Sequence, residues 1–260
     1  QFPFNLRLSM LGWNELYFDK GTYQPDPKQT AAWNRGAYLV EGLGHCSECH
    51  SPRNLLGGIE QKKAFTGADI DGWFALNLTS NLKTGLGSWS VDDIATYLKT
   101  GADKSKSTSL GPMSEVVHNS LSFMTDDDLQ AMAEYLKALP ASSAMSPDHQ
   151  PDKTLAAGAT TYVDNCSACH QAQGSGIPGV FPALTGNGVV LAADANDILK
   201  VVLFGIPVQD GYIAMPGFGD KLSDQQIADL ANYLRSSWGN GAAVNATAAQ
   251  VAALRKLPVE

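Results

Sequence analysis

Long apolar runs are missing from this chain: no stretch of 18 consecutive apolar residues occurs among its 260, so nothing in it reads as a membrane-spanning helix. Charge is sparse as well. Asp, Glu, Lys and Arg make up 17% of the sequence, and the basic residues are outnumbered 18 to 26, for a formal net charge of −8. Nucleic acid asks for the opposite sign, so that class of partner is excluded; an acidic surface suits solubility or a partner with a complementary face. No leader with a basic start and an apolar centre opens the sequence. Cysteine is limited to four residues, and none is left over from the pattern they form.

That pattern is one five-residue stretch written twice, Cys46-Ser47-Glu48-Cys49-His50 and Cys166-Ser167-Ala168-Cys169-His170, 120 positions apart. C-x-x-C-H is the attachment signature of haem c, in which two thiols add to the two vinyl groups and the next histidine reaches the iron. Two intervening residues let one turn of backbone present both sulfurs to one edge of the macrocycle. A lone C-x-x-C also fits a redox disulfide or half of a zinc site. Here the trailing histidine in both copies, the shared serine and the absence of a fifth cysteine favour two covalently attached haems. Haem c is attached outside the cytoplasmic membrane, so Gln1 is expected to follow a removed or omitted segment and the location to be periplasmic.

The surroundings of the motif repeat too. Ser90 caps a helix through Val91, Ile94, Tyr97 and Leu98 that Gly101 stops. Thr125 caps another, with Asp126, Asp127 and Asp128 in its first turn, where negative charge suits the helix dipole. Its buried stripe is Leu129, Met132, Tyr135 and Leu136, and Pro140 ends it. In the second half, Asp197-Ile198 through Gly205 aligns with Asp93-Ile94 through Gly101, and Ser223 through Arg235 aligns with Thr125 through Lys137. Before each motif a glycine precedes a bulky residue by one turn, Gly36 before Val40 and Gly158 before Tyr162, a spacing that lets another helix cross closely. Residues 140–153 hold three prolines and three serines and read as a linker. The prediction is an all-α chain with two tandem domains, 31–139 and 154–260, the latter with a C-terminal tail. Residues 1–30 precede them as a connecting segment. There Phe4, Leu8, Leu11 and Leu16, with Trp13 and Phe18, give an apolar face to a helix over 5–18 that Gly21, Pro25 and Pro27 break. That face packs on the following domain or forms a seam to another domain, chain or membrane surface.

An iron held by one histidine takes a second axial group or keeps an open position, the choice that separates electron carriers from ligand-binding and catalytic haems. Met215 lies in Ala214-Met215-Pro216-Gly217-Phe218 and Met113 in Gly111-Pro112-Met113-Ser114. Both sit beside glycine and proline in polar loops, poor places for core filler, whereas Met132 lies on an apolar stripe. The expected ligand pairs are His50 with Met113 and His170 with Met215, with Cys46, Cys49, Cys166 and Cys169 carrying the thioethers. Met124 and His118 are rivals to Met113, and His118 would give a lower-potential bis-histidine iron. His45 is expected to point away from the iron, and His149 to lie in solvent. A backbone carbonyl within 181–185 is spaced to meet Nδ1–H of His170; residues 74–79 stand in the corresponding place for His50, without a proline. Trp89, Tyr97 and Arg53 are candidates for contact with a haem edge or propionate.

Several longer stretches are more specific than the motif. Arg35-Gly-Ala-Tyr-Leu-Val-Glu-Gly-Leu-Gly-His-Cys-Ser-Glu-Cys-His-Ser-Pro-Arg53, Gly85-Leu-Gly-Ser-Trp-Ser-Val-Asp-Asp-Ile94, Ser237-Trp-Gly-Asn240 and Val251-Ala-Ala-Leu-Arg255 resemble the cytochrome c subunit of membrane-bound dehydrogenases for alcohol, gluconate, sorbitol, fructose and aldehydes. The resemblance covers nearly the whole chain. Members of that family usually carry three haem domains; Pro3-Phe4-Asn5-Leu6-Arg7 with Gly12-Trp13-Asn14 is similar to the segment joining their first to their second, so this chain is expected to lack the first unit. The resemblance implies a dihaem subunit, not itself the enzyme, that takes electrons from a catalytic dehydrogenase and passes them to ubiquinone or a terminal oxidase, peripheral at the outer face of the cytoplasmic membrane. The alternatives are a free-standing soluble dihaem carrier and a dihaem peroxidase-like enzyme, which needs one open or bis-histidine iron.

Overall fold

The computed structural model describes residues 7–103, 106–143, 155–208 and 212–257. His149, most of the expected linker and Pro3 to Leu6 lie outside them. Helix dominates. The first half contains α1 (Ser9–Tyr17), α2 (Ala31–Ala37), α3 (Ser47–His50), α4 (Val91–Thr100), α5 (Pro112–Asn119) and α6 (Asp126–Ala138). The second contains α7 (Leu155–Asn165), α8 (Ser167–His170), α9 (Gly188–Leu191), α10 (Asn196–Phe204), α11 (Asp224–Ser236) and α12 (Ala248–Leu254). Four short strands form two antiparallel pairs, β1 (Ala68–Ile70) with β2 (Trp73–Ala75) and β3 (Gly205–Ile206) with β4 (Met215–Pro216). At two or three residues each, they are too short to leave a period in the sequence.

The helix signals act as their chemistry dictates. Ser90 and Ser223 form reciprocal capping boxes with Asp93 and Gln226, and the Thr125 hydroxyl accepts from the Asp128 amide. Gly101 ends α4 at φ +77°. The stretch before the first motif is two pieces: α2 stops at Ala37 and a π-helical turn carries Tyr38–Leu43. The Gly44 amide reaches back to the Leu39 carbonyl at 2.7 Å, a wider turn that brings the chain into Cys46.

Two hydrophobic clusters with no residue in common hold the halves. Val40, Leu129, Met132 and Leu136 are among the most buried members of the first, and Tyr162, Leu199, Ile227 and Leu230 among those of the second. The glycine spacing finds its use at the centre of each. A Cβ on Gly36 would lie 1.9 Å from the Ala131 carbonyl oxygen of α6, and one on Gly158 would lie 2.2 Å from that of Asp229 on α11. The absence of a side chain is what lets α2 cross α6, and α7 cross α11, backbone to backbone. In the second core the fully buried Arg235 guanidinium donates to the carbonyls of Ala243, Val190, Asp194 and Ala192 at 2.7 to 3.0 Å, tying the segment before α10 to the C-terminal tail. Burial lowers its pKa to about 10.

α1 turns its aromatic side inward: Trp13 Nε1 donates to the Leu56 carbonyl at 3.0 Å, and the Tyr17 ring packs on Gly58. Leu8, Leu11, Leu16 and Phe18, expected to form the buried face, are exposed. The start of the linker is pinned, since Ser142 hydrogen-bonds Asn77, Thr79 and Asn81.

The halves meet along a seam. Lys200 of α10 donates to the Gly72 carbonyl at 2.6 Å and lies 4.3 Å from the centre of the Trp73 ring. The Asp197 carboxylate accepts the Phe74 amide at 3.1 and 3.2 Å. Asn187 donates to the Lys106 carbonyl at 2.9 Å, and the Tyr212 hydroxyl to that of Asp103. Burial pushes the Asp197 carboxyl up to about 7; the Phe74 amide and Lys200 oppose the rise, and Asp194 and Asp69 add to it.

Ala at position 36 or 158 is expected to cost about 1–3 kcal/mol or more through overpacking, whereas Gly12→Ala on exposed α1, where a Cβ meets nothing within 4 Å, should be neutral or stabilising; urea denaturation distinguishes them. For Asp197, a folded-state pKa above the unfolded one means that the native state holds more protons between about pH 4 and 7, so stability falls as pH rises through that window. The stability of the wild type minus that of Asp197→Asn should therefore shrink from pH 5 to pH 8, measured by denaturation at each pH.

Candidate functional site

In the second half α7 leads directly into the motif, with the Cys166 amide bonded to the Tyr162 carbonyl and the His170 amide to the Cys166 carbonyl, both at 2.9 Å. One turn of helix therefore puts both thiols and the imidazole on one side. His170 is buried, and its Nδ1 lies 3.0 Å from the Pro182 carbonyl oxygen. A carbonyl only accepts, so Nδ1 carries the proton and the Nε2 lone pair is left over. Burial holds the imidazole pKa below its usual value, partly offset by that hydrogen bond. The ring is neutral at pH 7.

Nε2 has somewhere to go. Cys169, His170, Phe181, Pro182, Tyr212 and Met215 line one cleft. Met215 is held in it by the ladder, where Ile206 pairs with Met215, and by the Phe218 amide, which bonds the Val202 carbonyl of α10 at 2.8 Å. Gly205, at φ +78°, makes the turn out of α10; a Cβ there would lie 2.3 Å from the Met215 carbonyl oxygen. Thr108 of the first half also lines this cleft. Sequence reasoning missed it and Tyr212, whose hydroxyl closes the same side through Asp103, because a contact across 109 residues has no local signal.

The first half repeats the histidine's hydrogen bond with different parts. His50 Nδ1 lies 2.7 Å from the carbonyl oxygen of Leu76, in the stretch expected to supply it, and proline is not required. Its pKa is likewise lowered by burial. Cys46, Met113 and Met124 all pack against the first core. Met113 sits in the first turn of α5 behind Pro112, and the turn before it depends on Gly111, at φ +51°, where a Cβ would lie 2.6 Å from Trp73 Nε1. His118 is exposed and turns Nδ1 to the Ser114 carbonyl at 2.7 Å, away from the core against which Cys46 packs. Met132 is core, as its position on the stripe implied.

His45 is exposed at φ +36°. Arg53 pairs with Glu48 of the motif and bonds the Gly57 carbonyl; Trp89 and Tyr97 pack edge to face at 5.6 Å.

The cysteines are four free thiols. Burial pushes Cys46 and Cys166 up to about 11, whereas a redox-active pair needs a lowered value. Among the described residues no cluster of three or more His, Cys, Asp or Glu is arranged to hold a metal, so zinc has no cage here. Two cysteines one turn apart, an imidazole whose Nδ1 is already held by a carbonyl, and in the second half a methionine thioether in the same cleft instead suit an iron porphyrin joined through its edge.

The class these features define is the covalent haem protein, and comparison with known sequences narrows it. The cytochrome c family model matches residues 155–238. Cytochrome c-552 of Thermus thermophilus is 34% identical over 110 residues, covering 38% of this chain and 83% of that protein. The chain belongs to the cytochrome c family, whose cofactor is haem c. Over 98% of its length it is similar to two larger proteins: the gluconate 2-dehydrogenase cytochrome c subunit of Pantoea cypripedii, at 38% identity, and the cytochrome c subunit of the quinone alcohol dehydrogenase of Gluconobacter oxydans, also at 38%. It spans 63% and 58% of their lengths. Each is named as the cytochrome c subunit of its dehydrogenase.

Gly111→Ala should combine left-handed backbone strain with displacement of Trp73 and cost about 1–3 kcal/mol. Gly57→Ala, at φ +82° with nothing within 4 Å of a Cβ, carries the strain alone. Urea denaturation should show the larger loss at position 111.

Proposed function

We propose that the chain is a dihaem electron-transfer subunit made of two tandem cytochrome c domains, residues 31–139 and 154–260, joined by a linker over 140–153. The observation that carries this reading is the recurrence, 120 positions apart, of C-x-x-C-H with its histidine Nδ1 on a backbone carbonyl, at 2.7 Å for His50 and 3.0 Å for His170. Cys46 and Cys49, and Cys166 and Cys169, would bind one haem each through thioethers. The haem, when bound, supplies one-electron chemistry at iron.

The protein's residues do the rest. Leu76 and Pro182 fix the tautomer, so that His50 and His170 offer Nε2. Met113 and Met215 would each offer the iron a soft neutral thioether, which would raise the potential and keep small molecules off the metal. Phe181, Pro182 and Tyr212 dry one face of the second site. A closed site favours outer-sphere transfer over ligand binding, and the exposure of His118 counts against the bis-histidine form of the peroxidase-like alternative.

The names of the relatives support a catalytic dehydrogenase as electron donor, and a quinone or terminal oxidase fits as acceptor. Covalent haem attachment supports a periplasmic location. No helix among the described residues is long and apolar enough to cross a membrane, so contact with the membrane would be peripheral.

Haem quantification with an absorption spectrum of the oxidised protein tests the proposal. Two haems per chain and a near-infrared methionine-to-iron(III) band of full strength are expected, halved in Met113→His and in Met215→His. Two haems with a half-strength band in the wild type would remove Met113 and restore the open-site alternative.

A further inference from the structure

The β1–β2 hairpin belongs to the first half by sequence, but the second half holds it. Its turn is Asp71-Gly72, at φ +48° and +76°, with Ile70 opposite Trp73 and Asp69 opposite Phe74. Two three-residue strands are at best marginally stable alone. In a two-residue hairpin the pair flanking the turn exchanges hydrogen bonds and the next pair does not, so the Phe74 amide points out of the ladder. It points at Asp197. That carboxylate, on a residue only 3% exposed, accepts the amide with both oxygens, while Lys200 one turn along α10 takes the Gly72 carbonyl at 2.6 Å. Two residues beyond Phe74 comes Leu76, whose carbonyl lies 2.7 Å from His50 Nδ1 and whose side chain packs on Gly188 of α9.

We propose that Asp197, with Lys200, is a positioning residue for the first haem: a side chain of the second half fixes the strand that delivers the Leu76 carbonyl to His50, and so sets the potential of an iron in the other half. The inference rests on the dihaem reading above. Apolar residues of similar volume commonly replace buried charges at no loss of stability. What the carboxylate supplies beyond packing is a directed acceptor for an amide that the ladder leaves unpaired, and an unpaired buried amide is costly. The hydrogen bond at Nδ1 governs how strongly the imidazole donates to iron. Slackening it weakens donation to iron(III) and raises the potential.

The test is redox titration of both haems in the full chain, with the Nδ1–H exchange of the first-haem histidine followed by NMR. Asp197→Leu should raise the potential of the first haem, changing its reduced-to-oxidised ratio at fixed ambient potential by at least about fivefold, the low end for coupling between sites. The second haem should move less, and Nδ1–H exchange at His50 should quicken. Asp197→Asn keeps an acceptor while losing the same charge, so it should show only the rise that the field gives to both haems, without the extra rise at the first. Lys200→Met removes a positive charge, which through its field alone would lower both potentials; a loosened hairpin instead raises the first. That variant carries the test if Asp197→Leu does not fold. Equal shifts at both haems, an Asn variant that behaves like Leu, or a lowered first potential in Lys200→Met would each overturn the inference while leaving two haems and a full near-infrared band intact. A wild type without haem at Cys46 and Cys49 would overturn both this inference and the function proposed above.

Discussion

A histidine that is to bind a metal through one nitrogen must have the other spoken for. Most of the local structure around both motifs follows from that requirement. In the second half the acceptor is twelve residues downstream, at Pro182, within reach of a compact loop closed by the Gly176 amide on the His170 carbonyl. In the first it is twenty-six downstream, at Leu76, and the chain between has to go out and come back. The hairpin is that excursion. Its return strand carries the acceptor, the Gly67 amide ties its base to the His50 carbonyl at 2.9 Å, and its tip reaches the other half of the molecule.

Much of this was legible in the sequence. The motif marked its thiols and imidazoles as the candidate attachment residues, because covalent attachment asks for fixed residue types at a fixed spacing. Ser90, Thr125, Ser223 and Gly101 marked helix ends, since unpaired amides and carbonyls at those ends call for particular side chains. Gly36 and Gly158 announced a close crossing, and carbonyl oxygens stand where their side chains would be. The region expected to serve His50 did so without the proline found in the other copy, because the acceptor is the main chain and tolerates any residue.

What stayed hidden was of another kind. The wide turn over Tyr38–Leu43 has no side-chain signature, and the four strands are shorter than any readable period. Of the apolar face expected around α1, Trp13 is in contact with the first half, with Tyr17 beside it on Gly58, while Leu8, Leu11, Leu16 and Phe18 stay exposed. Above all, the seam could not be read. Asp197 and Lys200 look like ordinary polar positions on an amphipathic helix, and Tyr212 like a loop residue, until residues more than a hundred positions away are placed beside them.

The four hydrogen bonds named along the seam share a division of labour. The first half contributes only main-chain atoms, the carbonyls of Gly72, Asp103 and Lys106 and the amide of Phe74, while the second contributes only side chains, those of Lys200, Tyr212, Asn187 and Asp197. Backbone groups are common to all residues. The first half can therefore change side chains at positions 74, 103 and 106 and keep these bonds, provided its loops hold their course and Gly72 keeps its left-handed turn, whereas the second half keeps each bond only if the new side chain offers the same donor or acceptor. Drift is permitted on one side of the joint and penalised on the other, so the two halves are free to diverge at unequal rates without coming apart.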